Sequence, residues 1–281
     1  MAQVQLPAGT LHYQDRGEGS PVVLVHGMLV NSELWRDVVP RLTERFRVLT
    51  PDLPFGSHTE AMRPDADLSP TGLATAVADF LAALDLTDVT LVGNDTGGAI
   101  CQLVAAHHPQ RLGRLALTNC DAYDNFFPPA FRYLQWLARI PGGVWAMAQT
   151  MRFGPARGLP IAYGGLVHHR APREVEDRWC APALRSAAVR RDTGKVLRGI
   201  HPRYTLDAIR LLRDSSLPVL LAWGDDDRFF PPDVASRLAA DLRAARLERI
   251  PGSRTFVPLD APERFAELLT AFVETAPTGR V

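Results

Sequence analysis

The strongest chemical signal in the sequence is a short glycine-rich stretch at residues 93–98. It reads Gly-Asn-Asp-Thr-Gly-Gly and follows a β-branched run, Val89–Val92, that is typical of a buried strand. An apolar run typical of a helix, from Ala99 to about His107, follows it. A strand that turns sharply into a helix, with glycines on both sides of a central side chain, is a nucleophile elbow. The central residue here is Asp95, and a carboxylate so placed can attack carbon and form an ester.

Asp95 also has a second interpretation. An aspartate at the start of a helix commonly caps that helix by accepting a hydrogen bond from its first turn. The positive end of the helix favours the ionised carboxylate in both cases. The sequence alone therefore leaves a nucleophile and a helix cap as alternatives.

A second segment that could take part in chemistry follows the apolar run Pro21–His26, which is typical of a central strand in a parallel sheet. A loop at this place can donate a backbone N–H to an oxyanion hole, together with the N–H of the residue after the nucleophile. The predicted donors are the backbone N–H groups of Met28 and Thr96.

The elements that must position these residues alternate along the chain. Strands alternate with helices up to residue 120 and again from residue 215, which indicates an α/β fold with a mostly parallel sheet covered by helices on both faces. Residues 121–214 read as helical fragments rich in Trp, Phe, Pro and Arg. We predict a core formed by residues 1–120 and 215–281, and a helical cap formed by residues 121–214 over the carboxyl edge of the sheet. A packed helical subdomain with no role in substrate binding is the alternative.

The individual elements follow from apolar periodicity and from turn residues. The predicted strands are Val4–Leu6, Thr10–Gln14, Pro21–His26, Phe46–Thr50, Val89–Val92, Leu112–Thr118, Leu217–Trp223 and Ala245–Ile250. The predicted helices outside the cap include Thr71–Leu84, Ala99–His107, Asp233–Leu242 and Ala261–Val273.

Taken in order, these motifs resemble the α/β-hydrolase superfamily over nearly the whole chain. The Gly-Asn-Asp-Thr-Gly elbow is similar to that of the haloalkane dehalogenase and epoxide hydrolase branch, which uses aspartate as the nucleophile. The resemblance implies an α/β-hydrolase fold with an inserted helical cap. It also implies an enzyme that acts on a small or medium apolar molecule without a cofactor or a metal.

The same resemblance identifies a missing residue. In that branch the C-terminal segment reads Gly-x-Gly-His-Phe, and Pro-Glu follows seven residues after the histidine. A count without gaps back from Pro262-Glu263 puts Thr255 at the histidine position and Arg254 at the preceding glycine. Threonine is no base near neutral pH, so the group that activates water to hydrolyse the ester is absent. Attack by Asp95 needs no base and could persist.

Two histidines are candidates for a relocated base. His26 flanks the predicted oxyanion loop, and His58 lies in a loop at the carboxyl edge of the predicted sheet. An ordinary packing or loop histidine is the alternative for both.

The acid that would orient a histidine has two candidates. The resemblance implies Asp227, which matches the family's Gly-x-x-Asp position. Asp121 is a second candidate, because some dehalogenases place their acid after the strand that precedes it here. With no histidine to orient, Asp227 could instead form an ion pair with Arg254 or Arg228.

Further departures from the family concern the substrate. Dehalogenases commonly hold the halide with a Trp beside the nucleophile and often with an Asn after His-Gly, and these positions are Thr96 and Met28 here. Alkyl halides are therefore disfavoured, and epoxides, esters and lactones stay open. Epoxide hydrolases favour His-Gly-x-Pro, and Leu29 fills the Pro position. Tyrosines in the predicted cap could offer hydroxyls, namely Tyr123, Tyr133, Tyr163 and Tyr204.

Composition narrows the class of protein. Lys plus Arg and Asp plus Glu number 31 each, so the overall charge favours neither nucleic acid nor an anionic membrane as a partner. The three cysteines are an odd number without metal-binding spacing, and the N-terminus has no apolar signal core. We expect a cytoplasmic protein that is a monomer or a homodimer.

The leading hypothesis is thus a hydrolase-type enzyme with Asp95 as nucleophile and with impaired hydrolysis. One alternative is a lyase- or isomerase-type biosynthetic enzyme that uses Asp95 and the oxyanion hole. Another is a pseudoenzyme that keeps the pocket and binds a ligand without turnover.

Overall fold

One sheet of eight strands forms the centre of the computed structural model, which describes residues 1–276. Its strands, in chain order, are β1 (Ala2–Leu6), β2 (Gly9–Arg16), β3 (Pro21–Val25), β4 (Arg47–Pro51), β5 (Val89–Asp95), β6 (Leu112–Cys120), β7 (Val219–Gly224) and β8 (Ala245–Ile250). Their spatial order is β1-β2-β4-β3-β5-β6-β7-β8. β2 pairs antiparallel with β1 and with β4, and the other neighbouring strands are parallel. The predicted α/β architecture with a mostly parallel sheet is confirmed.

Helices surround this sheet in two groups. The helices of the predicted core are α1 (Val39–Leu42), α2 (Pro70–Ala83), α3 (Thr96–His107), α11 (Pro232–Asp241), α12 (Val257–Asp260) and α13 (Pro262–Thr275). The helices between β6 and β7 are α4 (Arg132–Leu137), α5 (Gly143–Thr150), α6 (Gly154–Arg157), α7 (Tyr163–Leu166), α8 (Arg173–Arg185), α9 (Ala187–Gly199) and α10 (Pro202–Leu212). Short 3₁₀ turns lie at Ser32–Trp35, Pro109–Arg111 and Pro129–Phe131. No helix within residues 1–276 is both long enough and apolar enough to span a bilayer.

The two central strands explain where the site is anchored. Every residue of β5 and of β6 is buried, as expected for strands of a parallel sheet that is covered on both faces. Their carboxyl ends therefore present polar residues to a solvent-poor edge of the sheet.

The predicted turn between β5 and α3 is much shorter in the structure. We expected irregular backbone at residues 93–98, but β5 continues to Asp95 and α3 begins at Thr96. The chain passes from strand to helix at a single residue. The glycine pattern alone is compatible both with this turn and with a longer loop.

Candidate active site

The backbone at Asp95 passes from strand to helix within one residue. Asp95 has a φ of 53° and a ψ of −131°, and L-residues rarely adopt positive φ. The glycines around it are required sterically. A Cβ at Gly97 would overlap the carbonyl oxygen of His26, and a Cβ at Gly27 would overlap Asp95 Oδ2. Strained backbone of this kind is concentrated at functional sites.

The loop after β3 holds the Asp95 side chain. The backbone N–H of Met28 donates to Asp95 Oδ2 at 2.9 Å. Within the described residues, the side chain accepts no capping hydrogen bond from the turn of α3 that follows Thr96. The helix-cap interpretation of Asp95 is therefore not supported, and the predicted oxyanion loop contacts the candidate nucleophile.

The pKa of the Asp95 carboxyl is controlled by opposing effects. Burial raises the pKa to about 7, while the backbone N–H groups of Met28 and Thr96 lower it and the negative charge of Asp227 raises it. Burial therefore outweighs the hydrogen bonds, and the Asp95 carboxyl keeps its proton to a higher pH than an exposed aspartate does.

Asp227, the candidate acid, forms hydrogen bonds through both of its oxygens. Thr255 Oγ1 and Asn119 Nδ2 each donate to Oδ2 at 2.9 Å. The backbone N–H groups of Phe229 and Phe230 donate to Oδ1 at 2.8 and 3.2 Å. Burial raises the pKa of Asp227, and these hydrogen bonds lower it. The Thr255 hydroxyl thus contacts the acid, as a histidine at this position would.

The alternative ion pair between Asp227 and an arginine is not found. Arg254 Nη1 donates to the carbonyl oxygen of Val167 at 3.1 Å, and the Arg254 backbone N–H donates to Asp260 Oδ2 at 2.9 Å. Within residues 1–276, neither Arg254 nor Arg228 forms an ion pair with a carboxylate. Arg254 instead connects the C-terminal loop to the segment after α7.

Asp121, the second candidate acid, is completely buried and lies against the first residue of α3. Thr96 Oγ1 donates to Asp121 Oδ2 at 3.2 Å. Burial, followed by the negative charge of Asp95, raises the pKa of Asp121 well above its usual value. Asp121 thus contacts Thr96 rather than Thr255.

A cavity of about 300 Å³ lies over Asp95. Met28, Leu29 and Asp95 line it from the core, and mostly apolar side chains of residues 127–166 line it from the helices between β6 and β7. Such a cavity, largely apolar with one carboxylate, suits an apolar small molecule.

Two of the four tyrosines suggested by the sequence line this cavity, Tyr133 and Tyr163. The Tyr163 hydroxyl donates to the carbonyl oxygen of Leu29 at 2.7 Å. The Tyr133 hydroxyl donates to the carbonyl oxygen of Ile161 at 2.9 Å. Both hydroxyl protons are thus engaged with backbone, so neither is free to protonate an epoxide oxygen in this arrangement.

Known proteins that resemble this chain identify its fold family. A model of the alpha/beta hydrolase fold matches residues 20–262 of the chain. The chain belongs to the alpha/beta hydrolase fold family.

Relatives within this family include an uncharacterized protein of Mycobacterium tuberculosis, which is 29% identical over 281 residues that cover 92% of this chain and 76% of the relative. Haloalkane dehalogenase 2 of the same organism is 29% identical over 274 residues that cover 92% of this chain and 89% of the relative. The crystal structure of an ancestral haloalkane dehalogenase has a TM-score of 0.79 and 23% identity, with 98% of each chain covered. That structural likeness shows the fold alone.

In this alpha/beta hydrolase, both candidate histidines are engaged in hydrogen bonds that stabilise loops. His26 Nδ1 donates to the carbonyl oxygen of Gly27 at 2.8 Å, and His26 Nε2 accepts from the Leu53 N–H at 3.0 Å. Burial lowers the pKa of His26 to about 4, so its ring is neutral. His58 also uses both ring nitrogens, one of them toward Asp192 Oδ2 at 3.4 Å. Neither ring is therefore free to activate water over Asp95.

Two amides without a role predicted from the sequence connect Thr255 and the candidate acid to the sheet. Asn94 Nδ2 donates to the carbonyl oxygen of Thr255 at 2.6 Å, while Asn119 bridges Asp227 and the backbone of β7. The available signal was a polar residue at the carboxyl end of a buried strand. Within residues 1–276, no three side chains of His, Cys, Asp or Glu converge as metal ligands.

Proposed function

We propose that this protein is an enzyme in which Asp95 attacks a small or medium apolar electrophile bound in the cavity. The observation that carries the proposal is the Asp95 carboxylate, held through Oδ2 by the Met28 N–H at 2.9 Å and facing apolar walls. With one oxygen held, the other is left to bond to carbon. For an epoxide, the new O–C bond forms as the ring C–O bond breaks, and the ring oxygen then takes a proton from water.

We propose further that release of the resulting ester is slow. The residue beside the acid is Thr255, whose hydroxyl donates its proton to Asp227 at 2.9 Å and cannot accept a proton from water near neutral pH. Loss of the base in related hydrolytic triads lowers the rate by a factor on the order of 10⁶. The ester on Asp95 should therefore accumulate.

The substrate class follows from the groups around Asp95. Met28 and Thr96 present backbone N–H groups and no halide-binding indole or amide side chain, so we expect alkyl halides to react poorly although one relative is named a haloalkane dehalogenase. Epoxides, esters and lactones need no halide-binding side chain, so they stay open as substrates.

One observation favours a second function. The pKa of Asp95 lies at about 7, which is suited to proton transfer at neutral pH. A lyase or isomerase that uses Asp95 as a base beside the oxyanion donors would need no ester and no histidine. Binding without turnover is the third outcome that the experiment must separate.

The test is intact-protein mass spectrometry after incubation with terminal epoxides, lactones, aryl esters and alkyl halides in turn. We expect a mass increase equal to one bound epoxide, which peptide sequencing maps to Asp95. Asp95→Asn should abolish the adduct, whereas the control Asp121→Asn, which changes a buried carboxyl outside the cavity lining, should retain it. Turnover without an adduct would favour the second function. A ligand-induced rise in melting temperature with neither product nor adduct would favour binding alone.

A further inference from the structure

Most of the large apolar side chains that this protein exposes lie in one segment of the chain between β6 and β7. Seven of the ten strongly exposed ones within residues 1–276 belong to the segment 133–161. Trp136, Trp145 and Phe153 are 62%, 52% and 67% exposed. We call this surface the cap face, and it consists of Tyr133, Trp136, Ile140, Trp145, Phe153, Leu159 and Ile161. Several large exposed apolar side chains so near one another in the chain indicate a surface that contacts a partner.

The charge of the same segment is entirely positive. Residues 125–173 contain six arginines and no Asp or Glu, although the whole chain is balanced at 31 charges of each sign. Arg132, Arg139 and Arg152 form no ion pair with any carboxylate of residues 1–276. The balanced net charge of the whole chain conceals this local excess of positive charge.

An arginine-lined groove lies within this surface, between α5 and α9. Ile140 and Trp145 form part of its wall, together with Arg139, Arg190 and Arg198. Arg190 and Arg198 contact backbone carbonyl oxygens, and neither has a carboxylate partner among the described residues. A groove that combines an indole with unpaired guanidinium groups matches a phosphate beside an acyl chain.

The cavity over Asp95 reaches the same surface. Tyr133 and Ile161 both line the cavity and belong to the cap face. A molecule entering the cavity along these side chains would thus stay in contact with apolar groups from the surface inward.

We propose that the cap face binds to the surface of an anionic lipid bilayer and that the apolar substrate passes from the lipid into the cavity. Exposed Trp and Phe side chains fit the boundary between headgroups and acyl chains, and unpaired arginines fit anionic headgroups. A second copy of the chain fits less well, because a symmetric pairing of cap faces would bring the arginines of the two copies together. Binding to the bilayer does not depend on the chemistry of Asp95, whereas the passage of substrate into the cavity rests on the proposed function.

The test is flotation of the purified protein with vesicles of phosphatidylcholine containing phosphatidylglycerol, and with pure phosphatidylcholine vesicles. We expect binding to the anionic vesicles that falls as salt rises from about 0.1 M to about 1 M. Trp136→Ser combined with Trp145→Ser should lower the partition constant by about tenfold or more. The matched control is Leu206→Ser combined with Leu211→Ser, two exposed residues of α10, which should leave it unchanged.

A second pair of variants tests whether vesicle binding needs the arginines. Arg139→Gln combined with Arg198→Gln should weaken binding by about tenfold. Arg16→Gln combined with Arg243→Gln, which removes two exposed cations of the core, should not. Asp95→Asn should bind vesicles as the wild type does, so a failed chemical proposal leaves this result unaffected.

Two results would overturn the proposal. One is equal flotation of the wild type and both cap-face variants. The other is no flotation of the wild type with anionic vesicles. A dimer in light scattering that the Trp136 and Trp145 substitutions convert to a monomer would then identify a copy of the chain as the occupant of the cap face.

Discussion

At the scale of single residues, Asp95 combines a buried carboxyl with two stabilising backbone N–H groups. Burial dominates and raises its pKa to about 7, so the nucleophilic form is only partly populated at neutral pH. Burial thereby limits the reactivity of Asp95, because only the ionised carboxylate attacks carbon.

We expect the rate of adduct formation at Asp95 to rise with pH and to level off above about pH 7, following a single ionisation. The measurement is the initial rate of mass increase with one epoxide between about pH 5 and about pH 9. A rate that does not change over this range would contradict the role of Asp95 as the ionising nucleophile.

The same shift predicts a pH-dependent stability. Because folding raises the pKa of Asp95 from 3.8 to about 7, its contribution to stability is fully present below its unfolded pKa and is lost as pH rises through its folded pKa. Asp95→Asn removes this loss. We therefore expect the substitution to raise the melting temperature more at about pH 8 than at about pH 5, and an equal effect at both would refute the buried, pKa-shifted carboxyl.

Thr255 can be tested by its hydroxyl alone. Thr255→Val keeps the shape but removes one of the donors to Asp227, so we expect a loss of about 1 kcal/mol in the free energy of unfolding. Thr255→Ser keeps the hydroxyl and should lose less. Urea unfolding of both variants makes the comparison, and a Val variant as stable as the wild type would show that the hydrogen bond is not a stabilising one.

Residues that belong to a motif with fixed spacing could be predicted from the sequence. Residues that act through contacts with distant parts of the chain could not. Asp95 follows from the glycine pattern, and Thr255 from a count without gaps to Pro262-Glu263. Asn119 donates to Asp227, which lies 108 residues further along the chain. No local sequence pattern predicts such a contact. The pairing of an arginine with Asp227 was an open alternative for the same reason.

At the scale of elements, the turn from β5 to α3 depends on close backbone approach. Gly97 lies against the carbonyl oxygens of His26 and Val25, so a side chain there must displace β3. Gly154 starts α6 and has open space where a Cβ would be added. A comparison of the two glycines thus separates the steric overlap at Gly97 from the general effect of replacing a glycine with alanine.

We expect Gly97→Ala to lower the free energy of unfolding by about 2 kcal/mol or more, because the overlap involves backbone that cannot rotate away. Gly154→Ala should be neutral or slightly stabilising. Thermal and urea unfolding of the two variants test this, and similar stabilities would contradict the tight turn at Asp95.

The elements themselves were largely predictable. Apolar periodicity predicted the strands and the four long core helices, α2, α3, α11 and α13, to within a few residues, because buried strands and amphipathic helices leave regular patterns. The four-residue helices α1 and α12 are too short to leave one. The boundary at Asp95 was not predictable, since a glycine-rich stretch is compatible with both a loop and a one-residue turn. The division into core and cap remains a prediction.

At the scale of the whole molecule, a tyrosine hydroxyl connects the helices over the sheet to the loop after β3. Tyr163 of α7 donates to the carbonyl oxygen of Leu29, the residue after the Met28 N–H that holds Asp95. The Tyr133 hydroxyl instead donates to the carbonyl oxygen of Ile161, which also lies between β6 and β7. These two tyrosines line the same cavity but connect different parts of the fold.

We expect Tyr163→Phe to cost about 1 kcal/mol of stability, because the Leu29 carbonyl loses its donor. It should also slow adduct formation at Asp95, since the adjacent Met28 N–H is less well held. The control Tyr133→Phe should slow it less. Unfolding and adduct rates of both variants decide the point, and equal effects on the adduct rate would contradict this connection.

The lifetime of the ester on Asp95 tests the central claim most directly. After brief exposure to a reactive epoxide and removal of the excess, mass spectrometry follows the adduct in the wild type, in Thr255→Ser and in Thr255→His combined with Arg254→Gly. We predict a persistent adduct in the wild type and the Ser variant, and rapid decay with release of the diol when the histidine is present. Turnover of the epoxide by the wild type without a detectable adduct would contradict the account, because an ester that needs the missing base could not then lie on the reaction path.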